Sequence, residues 1–317
     1  MLRPAIIPLL FILLLPMSAA AQVLNNCSFS VTNVNFGNVD TLTGGDADTT
    51  GDVDITCSST LGATFRICLN LNAGTGGSTS GVRHMLGPGN ARLDYSFFQD
   101  AARATPWGSR TQSALGTPVF LQLSVPALGS VSTTRTIYAR VAGNQQGVAP
   151  GVYTSTFPGA HVELNWRTTS SASCGGLTQN PTNSNFTVQA NVTPNCNVTA
   201  QDINFGNHGV LDAAVDATGA IAVNCTSGTT YNVGLNNGLN GDGPTQRRMM
   251  LGGQAITYGL YQDAARSQPW GNTIGSNTAS GTGADATQNL TVYGRVPSQS
   301  TPPPGTYTDT VVVTVTY

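Results

Sequence analysis

The chain has no lysine, and Glu163 is its only glutamate. Charged residues make up 9% of its 317 positions, and the formal net charge is −2. So few cations leave no electrostatic footprint for nucleic acid or for an anionic lipid surface. The three histidines, His84, His161 and His208, are scattered and form no HxxxH or HxH pair, the spacings that commonly bring a metal or acid–base pair together. Nucleophile-elbow, phosphate-loop and dinucleotide fingerprints are missing as well. These absences argue against an enzyme, a cofactor or a metal centre. They do not argue for disorder, which couples low hydrophobicity to high net charge. Beyond residue 21 no apolar run approaches membrane-spanning length.

The long apolar run is at the start. Arg3 precedes apolar residues 5–16, and the small residues Ser18, Ala19, Ala20 and Ala21 follow. That is the layout of a secretory signal peptide, expected to be cleaved after Ala21. Export makes the six cysteines expected disulfide partners: Cys27, Cys57, Cys68, Cys174, Cys196 and Cys225. Sequence alone leaves fifteen connectivities open.

The chain contains itself twice. NVNFGN at 33–38 returns as DINFGN at 202–207, and YSFFQDAARATPWG at 95–108 returns as YGLYQDAARSQPWG at 258–271. IYARV at 137–141 answers VYGRV at 292–296, and PGVYT at 150–154 answers PGTYT at 304–308. Shared landmarks in one order mark an internal repeat of domain size. Between the copies, residues 168–185 are rich in Ser, Thr, Asn and Gly and read as a linker tied down by Cys174. Within the copies, apolar residues alternate: Phe65, Ile67, Leu69 and Leu71; Phe186, Val188, Ala190 and Val192; Val311, Val313, Val315 and Tyr317. Period two puts each set on one face of a strand. Frequent Gly and Pro breaks fit a sandwich. The expected fold is all-β: two tandem sandwiches spanning 22–175 and 186–317, joined by a linker at 176–185.

The cysteines follow the repeat. Cys27 and Cys57 stand where Cys196 and Cys225 stand in the second copy. Pairing within each copy would contribute ~3–4 kcal/mol by closing a loop of that length. Cys68 and Cys174 have no counterparts, so their mutual pairing is the economical choice.

A Cys before an NFG motif, a second Cys some thirty residues on, the QDAAR segment, the YGRV-like strand and a closing GTYTDTVVVTV stretch together resemble the spore coat U domain family. That family includes pilins of the archaic, Csu-type chaperone–usher pathway, and the similarity covers both copies. The resemblance implies that the two sandwiches are immunoglobulin-like and lack one strand. It also implies a periplasmic chaperone, an outer-membrane usher and an adjacent pilin subunit as partners, and export to a cell-surface pilus. Two-domain members resemble tip adhesins, which attach to a host or abiotic surface and promote biofilm formation. In this reading the second copy accepts a strand and ends in the strand carrying Val311, Val313, Val315 and Tyr317. After cleavage only residues 22–26 precede Cys27, too few to donate a strand, which suits a fibre end. The segment with Phe186, Val188, Ala190 and Val192 has two possible placements. It is either the first strand of the second copy or the closing strand of the first. The latter is preferred, because an end domain has no neighbour to complete it.

The adhesive surface is expected where the copies differ, at three Pro-containing loops carrying Leu86 and Pro88, Pro126 and Leu128, and Val148 and Pro150. Asp46, Asp48, Asp52 and Asp54 could hold calcium, but their spacing is not that of an EF-hand, and a solvated loop is the simpler reading. The repeated Asp100–Arg103 and Asp263–Arg266 pairs read as a turn salt bridge or cap, and Trp107 and Trp270 as core. Two other functions compete with the pilus subunit: a structural protein of a spore or cyst coat, and a secreted carbohydrate-binding module.

Overall fold

The structure, a computed structural model, describes residues 24–169 and 173–317. The expected signal peptide lies outside the described residues.

Alternating sequence becomes two β-sandwiches. In the first, one sheet has the order Asn25–Val31, Ala47–Ser59, Gly129–Val141, Arg92–Phe98, Val82–Leu86, Gly151–Thr156, Thr187–Val192, Val34–Val39. Opposite it lie Thr182–Asn183, Val162–Arg167, Ala63–Leu71 and Val119–Val125. Inward residues of both sheets share one core, with Phe65, Ile67, Leu69 and Leu71 facing Leu93, Tyr95, Phe97, Ile137 and Ala139. Helix is limited to three short 3-10 turns among the described residues.

The second unit repeats the plan with fewer strands. Its larger sheet runs Cys196–Ala200, Val215–Cys225, Gln288–Val296, Gln254–Tyr261, Arg247–Leu251. Ala279–Thr282, Thr230–Leu235 and Val313–Thr316 form the other. A separate core gathers Ile221, Val223, Tyr231, Val233, Leu260, Trp270 and Val292.

All three disulfides are formed. Cys27 pairs with Cys57, and Cys196 with Cys225, across directly opposed positions of neighbouring antiparallel strands. Cys68 pairs with Cys174 and anchors a satellite cluster containing Leu177 and Phe120.

That cluster corrects the expected linker. Beyond the expected tie at Cys174, residues 176–185 pack onto the first unit as part of its fold. Leu177 is fully buried, and Thr182–Asn183 pairs with Val162–Arg167. The expected boundary at 186 also moves. Thr187–Val192 pairs antiparallel with Gly151–Thr156 and parallel with Val34–Val39. Phe186, Val188, Ala190 and Val192 are buried in the first core. The units divide after Val192, leaving residues 193–195 between them. The physical reason is that an alternating strand settles wherever two unpaired edges flank an apolar groove, and its own pattern does not say whose groove that is.

Candidate functional site

The closing strand shows what its groove requires. Its inward side chains lie between the Gly151–Thr156 and Val34–Val39 edges, with Phe186 stacked on Phe157 at a centroid distance of 4.4 Å. Outward, Asn191 Nδ2 donates to Asn38 Oδ1 at 2.8 Å. A register shift between Gln189 and Asn191 accommodates a turn at Gly37, whose φ is +67° and whose N–H donates to Asn35 Oδ1 at 2.8 Å. Both edges of the groove are thereby paired, and Val34, Tyr153 and Phe157 have no exposed surface.

The second unit has the same groove walls, but no strand among the described residues lies between them. The NFGN segment makes the same Asx turn, with Gly206 N–H donating to Asn204 Oδ1 at 2.8 Å. Yet residues 203–207 form no strand, and no strand among the described residues runs beside them as Thr187–Val192 runs beside Val34–Val39. Residues 305–310, equivalent to Gly151–Thr156, keep only the bridge between Thr308 and Met250. Wherever the first unit is sealed, the second is half-open. Ile203, Tyr307, Val311, Met249 and Ile256 are half-buried, whereas their counterparts Val34, Tyr153, Phe157, Met85 and Leu93 are buried. The expected last strand is present as Val313–Thr316, paired with Thr230–Leu235. Val311, Val313 and Val315 line the core side, and Tyr317 is exposed. An apolar trough bordered by unpaired backbone is thus the main candidate site.

A buried arginine supports the groove in each unit, a feature the sequence reading missed. Arg83 donates from Nε to the Asn72 carbonyl at 2.8 Å, and from Nη2 to the carbonyls of Leu71 at 2.6 Å and Trp107 at 2.8 Å. Arg247 does the same with Asn236 at 2.8 Å, Leu235 at 3.2 Å and Trp270 at 2.8 Å. Burial pushes the Arg83 guanidinium down to about 10, still charged at neutral pH. The repeated R-x-M at 83–85 and 247–249 was the available signal. Tyr153 and Tyr307 are likewise matched. Each hydroxyl donates to the carbonyl four residues upstream, Ala149 at 2.7 Å and Pro303 at 2.8 Å, in the manner of a tyrosine corner.

The groove of unit two carries one polar substitution. Asp309 stands where unit one has the buried Ser155. Its carboxylate accepts the Tyr258 hydroxyl at 2.7 Å and the Leu239 N–H at 2.9 Å. Burial, then that bond to Asp309, raises the Tyr258 phenol well above its ordinary value.

The QDAAR segments form tight turns. Asp100 accepts the N–H groups of Ala104 and Thr105, and Asp263 those of Ser267 and Gln268. Arg103 reaches Asp48 instead of Asp100, and Arg266 reaches Asp216, each at 3.1 Å. Arg140 and Arg295 clamp the same aspartates bidentately at 2.7 and 2.8 Å. These clamps, with the neighbouring arginines, hold both carboxylates below the usual range. Asp46 also contacts Arg140, while Asp52 and Asp54 accept hydroxyls of Thr136 and Thr134. The aspartate group thus crosslinks strands.

The three expected adhesive loops do not converge. Val148 is buried in the first core, contrary to its reading as an exposed tip. Leu86 pairs opposite Thr154, and Pro88 packs near Gly151, at the end of the unit where Val192 leaves it. Pro126 and Leu128 lie at the other end, roughly 40 Å away along the 13-residue strand Ala47–Ser59 at about 3.3 Å per residue. There Leu128 is 88% exposed, beside Leu61 at 64% and Leu24 at 66%. Thr60 ties the three segments together. Its N–H donates to the Leu24 carbonyl, and its own carbonyl accepts the Leu128 N–H, both at 3.2 Å. Leu128 has φ +55°, costly for a branched residue. Leu24 and Leu61 were not anticipated, since nothing local distinguishes an exposed leucine from a core one.

Residues 14–158 and 182–314 match the Spore Coat Protein U domain. Protein U of Myxococcus xanthus is 34% identical over 150 residues, covering 42% of this chain and 83% of that protein. A crystal structure of the CsuC–CsuE chaperone–tip adhesion subunit pre-assembly complex, from archaic chaperone–usher Csu pili of Acinetobacter baumannii, aligns with a TM-score of 0.54. The identity is 18%, over 92% of this chain and all of that one, a likeness of fold.

Proposed function

The chain belongs to the Spore Coat Protein U domain family, and from that premise we propose that it is a structural subunit of a chaperone–usher pilus whose second unit is completed by a strand from another subunit. The observation that carries this reading is the contrast between the two grooves. One is filled in cis by Thr187–Val192, while the other presents unpaired edges over half-buried Ile203, Val311 and Met249. An extended segment with alternating apolar residues satisfies both the backbone and the trough. A periplasmic chaperone holds that place first, and an adjacent pilin subunit takes it at an outer-membrane usher.

The tip of the fibre is the position we assign. The first unit is closed by its own chain, and Asn25–Val31 is fully paired with Ala47–Ser59. By sequence the segment from 182 matches the second copy, yet by pairing its strand closes the first unit. The joint at 193–195 therefore has the form of a subunit-to-subunit joint within one chain. Leu24, Leu61 and Leu128, at the end away from that joint, form the surface offered to a host or abiotic surface. Labelling the chain with gold-tagged antibody on intact cells tests the assignment. Gold at fibre ends supports it, and gold along the whole fibre removes the tip role. A coat protein is the second reading, favoured by the resemblance to Protein U. Gold spread over a spore or cyst surface would select it.

A further inference from the structure

The two grooves differ at a few inward positions, and those positions define what the second one accepts. Any such selectivity rests on the second unit being an acceptor, as proposed above. In the first unit, Ala190 lies opposite Tyr153, whose buried ring is pinned by its hydroxyl bond to Ala149. Tyr307 makes the same bond to Pro303. A strand entering the second groove in the same register meets a ring fixed in the same place, with room only for a small side chain.

The first anchor differs. Phe186 stacks on Phe157 and lies 6.1 Å from Phe97, ring to ring. The second unit has Val311 and Leu260 at those two places. Both are smaller, so the pocket there is deeper and takes an aromatic side chain without overlap. Between these two positions, Val188 lies opposite Ser155, and Asp309 replaces that serine. Its carboxylate is already engaged by Tyr258 and by the N–H groups of Leu239 and Thr310. A compact neutral residue fits beside it, whereas a second carboxylate is repelled as the site closes to water.

We propose that the second unit selects its partner strand by this pattern: a large, preferably aromatic residue over Val311 and Leu260, a compact neutral residue beside Asp309, and a small residue against Tyr307. The strand runs parallel to residues 203–207 and antiparallel to 305–310. Tyr307 and Asp309 are its specificity-determining residues. The chain's own closing strand, with Phe186, Val188 and Ala190, already satisfies the pattern.

The test uses the oxidised full chain and a synthetic peptide of residues 185–193, NFTVQANVT. Amide exchange at 203–207 and 305–311 reports binding to the second groove. The parent peptide is expected to slow exchange there. Peptides with Ala190→Leu, Val188→Asp or Phe186→Ala should bind at least roughly tenfold more weakly, from overpacking, charge burial and an empty pocket respectively. Tyr307→Ala in the chain should restore binding of the Ala190→Leu peptide. If the parent and the Ala190→Leu peptide bind within about threefold of each other, the selection rule is wrong although the acceptor reading survives. If no peptide slows exchange, the acceptor reading itself fails and the rule falls with it.

Discussion

Replacing Phe186 with alanine separates the two placements of its strand. The ring is 4% exposed, stacks on Phe157 at 4.4 Å and lies 6.1 Å from Phe97, all within the first core. Truncating a phenylalanine so enclosed costs ~3–5 kcal/mol, because rigid strands on both sides prevent collapse into the space. For a unit of this size that corresponds to roughly 6–20 °C in melting temperature, at about 2–4 °C per kcal/mol. The loss should fall on the first unit alone, since no ring of the second unit stacks on Phe186. Urea titrations followed by amide exchange, with peptides from each unit read separately, make the distinction. A loss under about 1 kcal/mol, or one that falls on the second unit, would refute the assignment of this strand to the first core.

Other consequences follow from the same packing. Removing the Cys68–Cys174 bridge by Cys→Ser changes should destabilise the first unit by ~4–5 kcal/mol, given a sequence separation of 106; calorimetry with and without the bridge checks it. Arg247→Met should cost several kcal/mol, because the carbonyls of Leu235, Asn236 and Trp270 lose their donor, each orphan costing ~1–3 kcal/mol. Arg247→Lys should not restore the loss in denaturant melts, since an ammonium lacks the planar fork. Asp48 and Asp216 are held below the usual carboxylate range by Arg140 and Arg295, so their contribution is present above an ordinary value of about 4 and disappears as pH falls through the lowered folded values. Both are more than a third exposed, so solvent screening keeps the effect modest. Melting temperature should therefore hold from pH 7 to about 5 and fall below about 4, and the double Asp→Asn variant should flatten that acid limb. Changing Leu24, Leu61 and Leu128 to serine should abolish surface attachment while leaving secretion and melting temperature unchanged, because all three side chains already face water.

Much of this organisation is legible in the sequence because it is written twice. Motifs such as QDAAR and PWG fix the repeat, and period-two alternation fixes the strands. The placement of the cysteines within the repeat points to the pairs that form. Repetition also identified Asp100 and Asp263 as structural, although the arginine partner proved to be Asp48 or Asp216. The placement of 186–192 is less legible. The alternation of Phe186, Val188, Ala190 and Val192 suits either groove, and only the three-dimensional edges decide. The placement of loops is hidden for a similar reason. Gly and Pro mark turns at both ends of a sandwich, so the loops at 86–89 and 147–150 looked equivalent to that at 125–128. The repeated R-x-M marks Arg83 and Arg247 as structural, but their burial depends on carbonyls of other strands and is not written locally.

The central claim is that the second sandwich is open and closes on a strand supplied to it. The most direct measurement extends the chain beyond Tyr317 with a flexible linker and a second copy of residues 185–193, then records its thermal unfolding. The account predicts that the second unit's transition rises substantially, independently of protein concentration, while the first unit's stays where it was. A second transition unmoved by the added strand would mean that the unit is already complete, and would contradict the account.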